Sequence, residues 1–203
     1  MKSYPSIPTK INFKHTYVLF DKLDGSNIRV EWSEKKGFYK FGSRNQLLTE
    51  QQKTLYPSIE VIKEKYEEAI DTAFRRMRAQ SGICFFEYFG PNSFAGNHSD
   101  PVEKMDAVLF DVNPYKKGIL PPEQFLEFSE GMETPKILFE GKLNQEIITS
   151  IREHTLEGIT LEGVVAKAKG IRHNGMAKIK TRKWLDKLKE FCNNDPVLFN
   201  RLK

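Results

Sequence analysis

Lys22-Leu23-Asp24-Gly25-Ser26-Asn27 follows a short apolar run at residues 17–20, and the interpretation of the whole chain starts from this stretch. A strand that ends on a lysine and turns at once on a glycine directs the amine into whatever cavity lies at the end of that strand. The ordinary alternative is a hairpin turn between residues 18–20 and 28–32, because Asp-Gly is a common dipeptide of tight turns. The segments downstream decide between the two.

Length and composition place few limits on the fold. A chain of 203 residues fits one large domain or two small ones, and it can bury a sizeable core. Cys84 and Cys192 lie far apart without metal or disulfide spacing, which indicates a reduced, intracellular setting. Because the N-terminus lacks an apolar signal core and no stretch approaches ~20 apolar residues, we expect a cytoplasmic protein without a membrane segment.

The charge of the chain is unevenly distributed. The net charge is +5, with lysine and arginine dense in the last third, whereas residues 123–146 lean acidic. A basic end suits a phosphate-rich partner, although a solvated helix face would have the same composition.

Hydrophobic patterns predict an α+β fold with largely antiparallel sheets flanked by helices, over residues 1–203 as a single domain. The first three strands are interpreted as a meander, because short turns separate them. Strands are predicted at residues 17–20, 28–32, 38–41, 83–90, 106–112, 137–140, 161–167 and 176–181. Helices are predicted at residues 57–80, 121–128, 144–154 and 182–191, the last of them finishing the chain.

Two polar residues have unusual positions in this pattern. Arg44 follows a strand, where site residues collect, although an exposed arginine is the commoner case. Glu87 interrupts an apolar run, which costs several kcal/mol unless the carboxylate is paired or hydrogen-bonded. A lysine or a ligand hydroxyl would serve as its partner, and the alternative is an edge strand that exposes Glu87 to water. The loop that follows contains His98, which we interpret as a surface residue.

Lys178 and Lys180 share one face of a predicted strand, because side chains repeat every second residue. Two ammonium groups on one face repel each other, so they are plausible phosphate ligands. A cation ~5 Å from Lys22 would lower the pKa of its amine by about two units at an effective dielectric of ~20. We therefore expect this lysine pair to lower the pKa of Lys22 and activate it as a nucleophile.

The common phosphate-binding motifs are absent from the sequence. Residues 170–175 have the glycine spacing of a P-loop, but Met176 stands where its lysine must be. The sequence also contains no H-E-x-x-H. Any nucleotide chemistry must therefore use another arrangement.

Six motifs in order carry a resemblance that spans almost the whole chain. They are K-x-D-G, S-R-N, F-E-Y-F-G, L-F-D-V, E-G-V-V-A-K and K-I-K. In this order they resemble the covalent nucleotidyltransferase superfamily of ATP-dependent ligases and capping enzymes. More narrowly, the chain resembles RNA ligases of the phage type that seals nicked duplexes. The resemblance implies an ATP-grasp-like nucleotidyltransferase domain of the ligase and capping type.

The resemblance also implies a mechanism and roles. ATP and Mg²⁺ or Mn²⁺ would be the cofactors, and a lysyl-AMP intermediate on Lys22 would serve to join 5′-phosphate and 3′-hydroxyl RNA ends in RNA repair. In the nucleotide site, Arg44 would contact ribose or the substrate phosphate, Glu87 would contact a ribose hydroxyl, and Phe110 would stack on adenine. Glu162 would orient the lysine or hold the metal, and Lys178 and Lys180 would bind the α-phosphate. Asp24 and Asn27 would also belong to this site.

The sequence departs from the superfamily in three places. Asn27 replaces the arginine of DNA ligases and capping enzymes, as in RNA ligases, whereas Asp24 stands where the nearest RNA ligases often have histidine. The chain stops soon after Lys180, so it resembles a bare catalytic domain without the OB or helical module, and a partner protein could replace that module. A DNA ligase, a GTP-using capping-type enzyme and an inactive nucleic-acid-binding relative stay open as alternatives.

Overall fold

The computed structural model describes residues 2–91 and 104–203, and the predicted loop with His98 lies outside these ranges. The strands are β1 (Thr16–Lys22), β2 (Ser26–Ser33), β3 (Gly37–Ser43), β4 (Ser81–Phe89), β5 (Asp106–Pro114), β6 (Ile137–Lys142), β7 (Gly163–Ala168) and β8 (Met176–Lys180). The helices are α1 (Ser58–Arg76), α2 (Pro122–Phe128), α3 (Gln145–Arg152), α4 (Arg182–Phe191) and α5 (Pro196–Leu202). Within the described ranges, no helix has the length and apolar content needed to cross a bilayer.

The strands form two antiparallel four-stranded sheets, which confirms the predicted α+β class. The order is β6-β1-β7-β8 in the first sheet and β3-β2-β4-β5 in the second. Alternate residues of β1 enter two different cores: Tyr17 and Leu19 pack in the core that includes α3, whereas Val18 and Phe20 pack in the larger core with β2, β4 and α1. The period of two in β1 thus places this strand between the two cores.

The prediction of a three-strand meander is wrong, and so is the hairpin interpretation of Asp24-Gly25. β1 pairs with β6 and β7, whereas β2 pairs with β3 and β4, so residues 23–25 cross from one sheet to the other. Gly25 allows this crossing, because a Cβ there would lie 2.4 Å from the carbonyl oxygen of Tyr88 on β4. Local periodicity identifies strands but does not say which sheet a strand joins.

Helix α1 covers the second sheet, as its apolar spacing predicts. Its buried face includes Ile62, Tyr66, Ile70 and Phe74, which are spaced by four residues along the helix. Glu60 lies in the first turn, and arginines occupy the last turn, which suits the helix dipole. The helix is shorter than the predicted 57–80 and supplies no side chain to the site described below.

The prediction that the helix at 182–191 finishes the chain is wrong, because α5 follows it. Asn193 and Asn194 have φ values of 49° and 61°, which end α4 and reverse the chain. The Asp195 side chain then accepts hydrogen bonds from the first backbone N–H groups of α5, and Pro196 begins the helix. An N-cap aspartate before a proline is an ordinary helix start signal.

Replacing Gly163 with alanine should strongly destabilise the junction between β7 and β8. Gly163 has φ +139°, and a Cβ would lie 2.1 Å from the Ile179 carbonyl oxygen and 2.9 Å from the Lys180 Cα. We expect the free energy of unfolding to fall by about 3 kcal/mol, because strain and overpacking add. Denaturant unfolding measures this change.

Gly170 provides the matched control for that substitution. It also has a positive φ, +70°, but a Cβ there meets nothing within 4 Å. Gly170→Ala should therefore cost only about 1–2 kcal/mol. Equal losses for the two variants would show that the close approach of β8 to Gly163 does not matter.

Candidate active site

A cavity of about 650 Å³ lies where residues 23–25 cross between the sheets, a size typical of small-molecule sites. Both sheets contribute to its lining, together with the N-terminal segment and α5. The cavity brings together all nine residues singled out from the sequence. They are Lys22, Asp24, Asn27, Arg44, Glu87, Phe110, Glu162, Lys178 and Lys180.

Glu162 lies between two of the lysines and bonds to both. Its Oε2 accepts a hydrogen bond from Lys22 Nζ at 2.7 Å, and its Oε1 pairs with Lys180 Nζ at 2.8 Å. The Glu162 side chain is 5% exposed and that of Lys180 9%, whereas 23% of the Lys22 side chain is exposed. Lys22 therefore has the most exposed side chain of this triad, and it lines the cavity.

The expectation that Lys178 and Lys180 lower the pKa of Lys22 is wrong for this structure. Burial lowers the pKa of Lys22, but the carboxylates of Glu162 and Glu87 raise it by more, so the net shift is upward. The downward shifts fall on the other two lysines. Burial and repulsion from Lys22 lower the pKa of Lys178, and burial lowers that of Lys180 to about 8 despite Glu162. The sequence argument left out the buried carboxylate that separates the lysines.

Glu87 lies on β4, directly opposite Asn27 of β2. Because β4 is an inner strand of its sheet, the predicted edge-strand alternative is wrong. Burial raises the pKa of Glu87 to about 8, and the nearby Lys22 opposes this shift. The Asn27 Oδ1 is buried and has no hydrogen-bond partner among the described residues. Glu87 and Asn27 therefore offer polar atoms to a ligand on one wall of the cavity.

Glu87→Gln should change how stability depends on pH. Between about pH 4.5 and about pH 8, the folded protein keeps a proton on Glu87 that the unfolded chain has lost. Wild-type stability should therefore fall as the pH rises through this window, while the neutral glutamine avoids this loss. We expect the variant to gain about 1–3 kcal/mol over wild type at pH 8 relative to pH 5, measured by urea unfolding. A wild-type advantage that grows with pH would contradict the shift.

Phe110 lines the cavity from β5, and one member of a buried ion pair contacts its backbone. Lys167 Nζ donates to the Phe110 carbonyl oxygen at 2.7 Å and pairs with Asp111 Oδ2 at 2.9 Å. The Tyr4 hydroxyl donates to the same Asp111 oxygen at 2.6 Å, and the Tyr4 ring lies edge-on to Phe110 with centroids 5.0 Å apart. The N-terminal segment thus forms part of the wall around Phe110.

Arg44 and Lys178 add positive charge to the cavity. Arg44 follows β3 and is exposed, whereas Lys178 extends from β8 and donates to the Lys203 carbonyl oxygen at 3.0 Å. The end of α5 therefore lies against the cavity. Several cations around a concave site favour a ligand with several negative charges, such as a phosphate chain.

Some residues at this cavity were missed in the sequence. Tyr4 and the residues of α5 gave no motif, because their positions depend on how the two ends of the chain fold back. Lys167 and Asp111 did carry a signal, since each is a charged residue in an apolar strand and needs a partner when buried. The sequence could have paired them on that ground.

Comparison with known proteins agrees with the fold and the motifs. The structure is similar to Naegleria gruberi RNA ligase with pyrophosphate, with a TM-score of 0.67 and 18% identity over 94% of this chain and 60% of that chain. It is also similar to a mutant of the same enzyme with AMP and manganese, with a TM-score of 0.67 and 16% identity over 92% of this chain and 59% of that chain. At these identities the likeness shows the fold, and our chain spans about 60% of the matched structures.

The family assignment rests on sequence. No curated protein matches the chain significantly. The family model for RNA ligase matches residues 15–185, which include the whole crossing segment and both cavity-lining lysines of β8. The chain therefore belongs to the RNA ligase family.

Proposed function

We propose that this chain is the catalytic domain of an ATP-dependent RNA ligase that works through a covalent lysyl-AMP intermediate on Lys22. The observation that carries the proposal is the triad of Lys22, Glu162 and Lys180, in which a lysine that lines a cavity of about 650 Å³ shares a buried carboxylate with a second lysine. Membership of the RNA ligase family supports it. Among the RNA ligase structures matched in the fold comparison, one contains AMP with manganese, another ATP with manganese and a third pyrophosphate.

The proposed reaction has three steps. The Lys22 amine attacks the α-phosphate of ATP, forming a P–N bond as the bond to pyrophosphate breaks. The AMP then passes to the 5′-phosphate of RNA, releasing the lysine. Finally, a 3′-hydroxyl displaces AMP and forms the phosphodiester. Lys22 is paired with Glu162 and has a raised pKa, so its ammonium must lose a proton before the first attack.

The other cavity residues have roles that suit their chemistry. Lys178 and Lys180 would hold the α-phosphate, where charge develops in the transition state. Phe110 would stack on adenine. Glu87 would bond a ribose hydroxyl, and its raised pKa means that it offers both a donor and an acceptor near neutral pH. Arg44, at the rim, would contact ribose or the 5′-phosphate of the substrate.

A divalent ion fits this cavity only as a partner of the nucleotide. The described residues contain no group of three or more acidic, histidine or cysteine side chains that could hold a metal. Mg²⁺ commonly binds through one or two carboxylates together with substrate phosphates and water, and Glu162 would supply the carboxylate. When bound, the ion would neutralise charge on the phosphate oxygens. Its binding to Glu162 would compete with Lys22 and Lys180 for the same two oxygens.

For the substrate, we propose RNA with 5′-phosphate and 3′-hydroxyl ends, held as a nicked duplex. Asn27 supports RNA over DNA by its resemblance to RNA ligases; it lines the cavity, and its Oδ1 has no hydrogen-bond partner within residues 2–91 and 104–203. The chain spans about 60% of the matched RNA ligase structures. We therefore also propose that the whole protein seals RNA and that a partner protein supplies further RNA contacts.

The test asks which nucleotide, ATP or GTP, modifies the protein and which nicked duplex, RNA or DNA, it seals. The protein is mixed with Mg²⁺ and either ATP or GTP, and intact mass is measured. The proposal predicts the addition of one AMP and no GMP; a GMP adduct would indicate a capping-type enzyme. Nicked duplexes with RNA or DNA at the 3′-hydroxyl side then separate RNA from DNA ligation. Salt-sensitive RNA binding without any nucleotide adduct would identify an inactive binding relative and refute the proposal.

A further inference from the structure

Trp184 lies outside all six sequence motifs, yet it contacts two of the residues that they contain. Its indole Nε1–H donates to Asp24 Oδ2 at 3.2 Å, and Lys180 Nζ lies 3.5 Å from the centre of its ring. Trp184 is 3% exposed. It therefore joins the first motif of the chain to the last.

The position of this tryptophan is fixed by the start of α4. The Thr181 hydroxyl accepts a hydrogen bond from the Trp184 backbone N–H at 3.1 Å and donates to the Leu161 carbonyl oxygen, next to Glu162. This N-cap places the ring over the end of β8, where Lys180 ends the strand. The ring thus contacts the segments of Lys22 and Lys180, and the Thr181 cap beside it contacts the segment of Glu162.

Lys180 is held from two sides as a result. Glu162 pairs with its ammonium at 2.8 Å, and the aromatic face of Trp184 lies at cation–π distance. A lysine side chain has many rotamers in solution, and the carboxylate alone leaves several of them open. The ring gives the ammonium a second contact, which restricts these rotamers further.

We propose that Trp184 is a positioning residue for adenylylation, which holds the Lys180 ammonium and the Asp24 carboxylate in the geometry that Lys22 needs. This inference rests on the proposed function and deepens it, because it assigns a role to a residue of α4 that contacts no reacting atom.

The experiment measures single-turnover adenylylation in the full chain with ATP and Mg²⁺. The end point of the reaction, in AMP per protein, measures the fraction of molecules that are folded. The rate constant at saturating ATP measures how well the Lys180 ammonium and the Asp24 carboxylate are positioned. Trp184→Phe keeps an aromatic face but loses the N–H, and we expect a rate about tenfold lower with an unchanged end point. Trp184→Leu loses both contacts, and we expect a rate about 100-fold lower.

Trp32 gives the matched control. Its indole N–H also donates to a carboxylate, Asp71 at 3.0 Å, and it is fully buried, but it lies on β2 away from the cavity. Trp32→Phe should leave the rate constant within about twofold of wild type. If it slows the reaction as much as Trp184→Phe does, the effect of Trp184 is general loss of structure and the inference fails.

A double-mutant comparison tests the contact itself. In an Asp24→Ala background the acceptor of the indole N–H is gone, so Trp184→Phe should cost less than about threefold. A full tenfold loss in that background, or a wild-type rate in Trp184→Phe alone, overturns the inference.

If wild type forms no AMP adduct, the proposed function fails instead, so the two failures are distinguishable. If Trp184→Leu does not fold, Trp184→Phe alone tests the inference, because phenylalanine keeps most of the buried side-chain volume.

Discussion

Lys22→Ala should lose AMP adduct formation completely, with a rate at least about 10⁴-fold below wild type. The amine is the proposed nucleophile, and alanine leaves no group at the end of β1 that could attack phosphorus. Lys22→Arg should fail equally, because guanidinium keeps its proton and does not attack phosphorus. Both variants should be measured by intact mass after incubation with ATP and Mg²⁺.

Lys65 offers the control for removal of a paired lysine. It pairs with Asp106 and Glu133 and is partly exposed like Lys22, but it lies on α1 outside the cavity. Lys65→Ala should keep the wild-type rate of adduct formation. An adduct that persists in Lys22→Ala, or one that disappears in Lys65→Ala, would contradict the assignment of Lys22.

Glu162→Gln should have the next largest effect, on both activity and stability. The variant leaves two ammonium groups near each other without the buried carboxylate that neutralises both. Removing one partner of a buried ion pair costs about 3 kcal/mol or more, and we expect the free energy of unfolding to fall by that amount. Adduct formation should slow by about 100-fold or more, because Lys22 and Lys180 lose their common anchor.

Glu140→Gln is the matched change on the surface. Glu140 also pairs with a lysine, Lys169, but the two side chains are 52% and 37% exposed. Its loss should change stability by less than about 1 kcal/mol, as for other exposed pairs. Urea unfolding of both variants at pH 7 gives the comparison, and equal small changes would mean that the position of Glu162 between two lysines has no energetic importance.

The elements of the fold were largely predictable because their patterns are local. The continuous apolar run at residues 17–20 predicted the strand, and apolar residues spaced by three and four along residues 57–80 predicted the helix. The partners of β1 were not predictable, because residues 23–25 cross between sheets and look like a hairpin turn from their sequence. Gly25 is needed for close approach to β4, which is a long-range property that the sequence does not display.

Seven of the cavity residues were predictable because each lies on or at the end of a predicted strand, whereas Asp24 and Asn27 came from the resemblance. The electrostatics of the site were not predictable. The sequence placed cations near Lys22 without fixing where Glu162 lies. In the structure the carboxylate separates Lys22 from Lys180 and raises the pKa of Lys22 rather than lowering it. The direction of the net pKa shift depends on which charges lie nearest the amine, and spacing along a chain does not give those distances.

Residues that support the site were missed for a related reason. Tyr4 reaches Asp111 across 107 positions of sequence, and Trp184 reaches Asp24 across 160. Neither contact has a periodic or compositional signature. A buried charge that needs a partner, as at Asp111, is the nearest signal that sequence offers.

The most direct test of the account locates the AMP. Wild-type protein is incubated with ATP and Mg²⁺, digested at neutral pH, where a P–N bond survives better than in acid, and the modified peptide is sequenced by mass spectrometry. We predict AMP on Lys22 alone. AMP on any other residue, Lys178 and Lys180 included, or a peptide from residues 16–29 that is never modified, would contradict it.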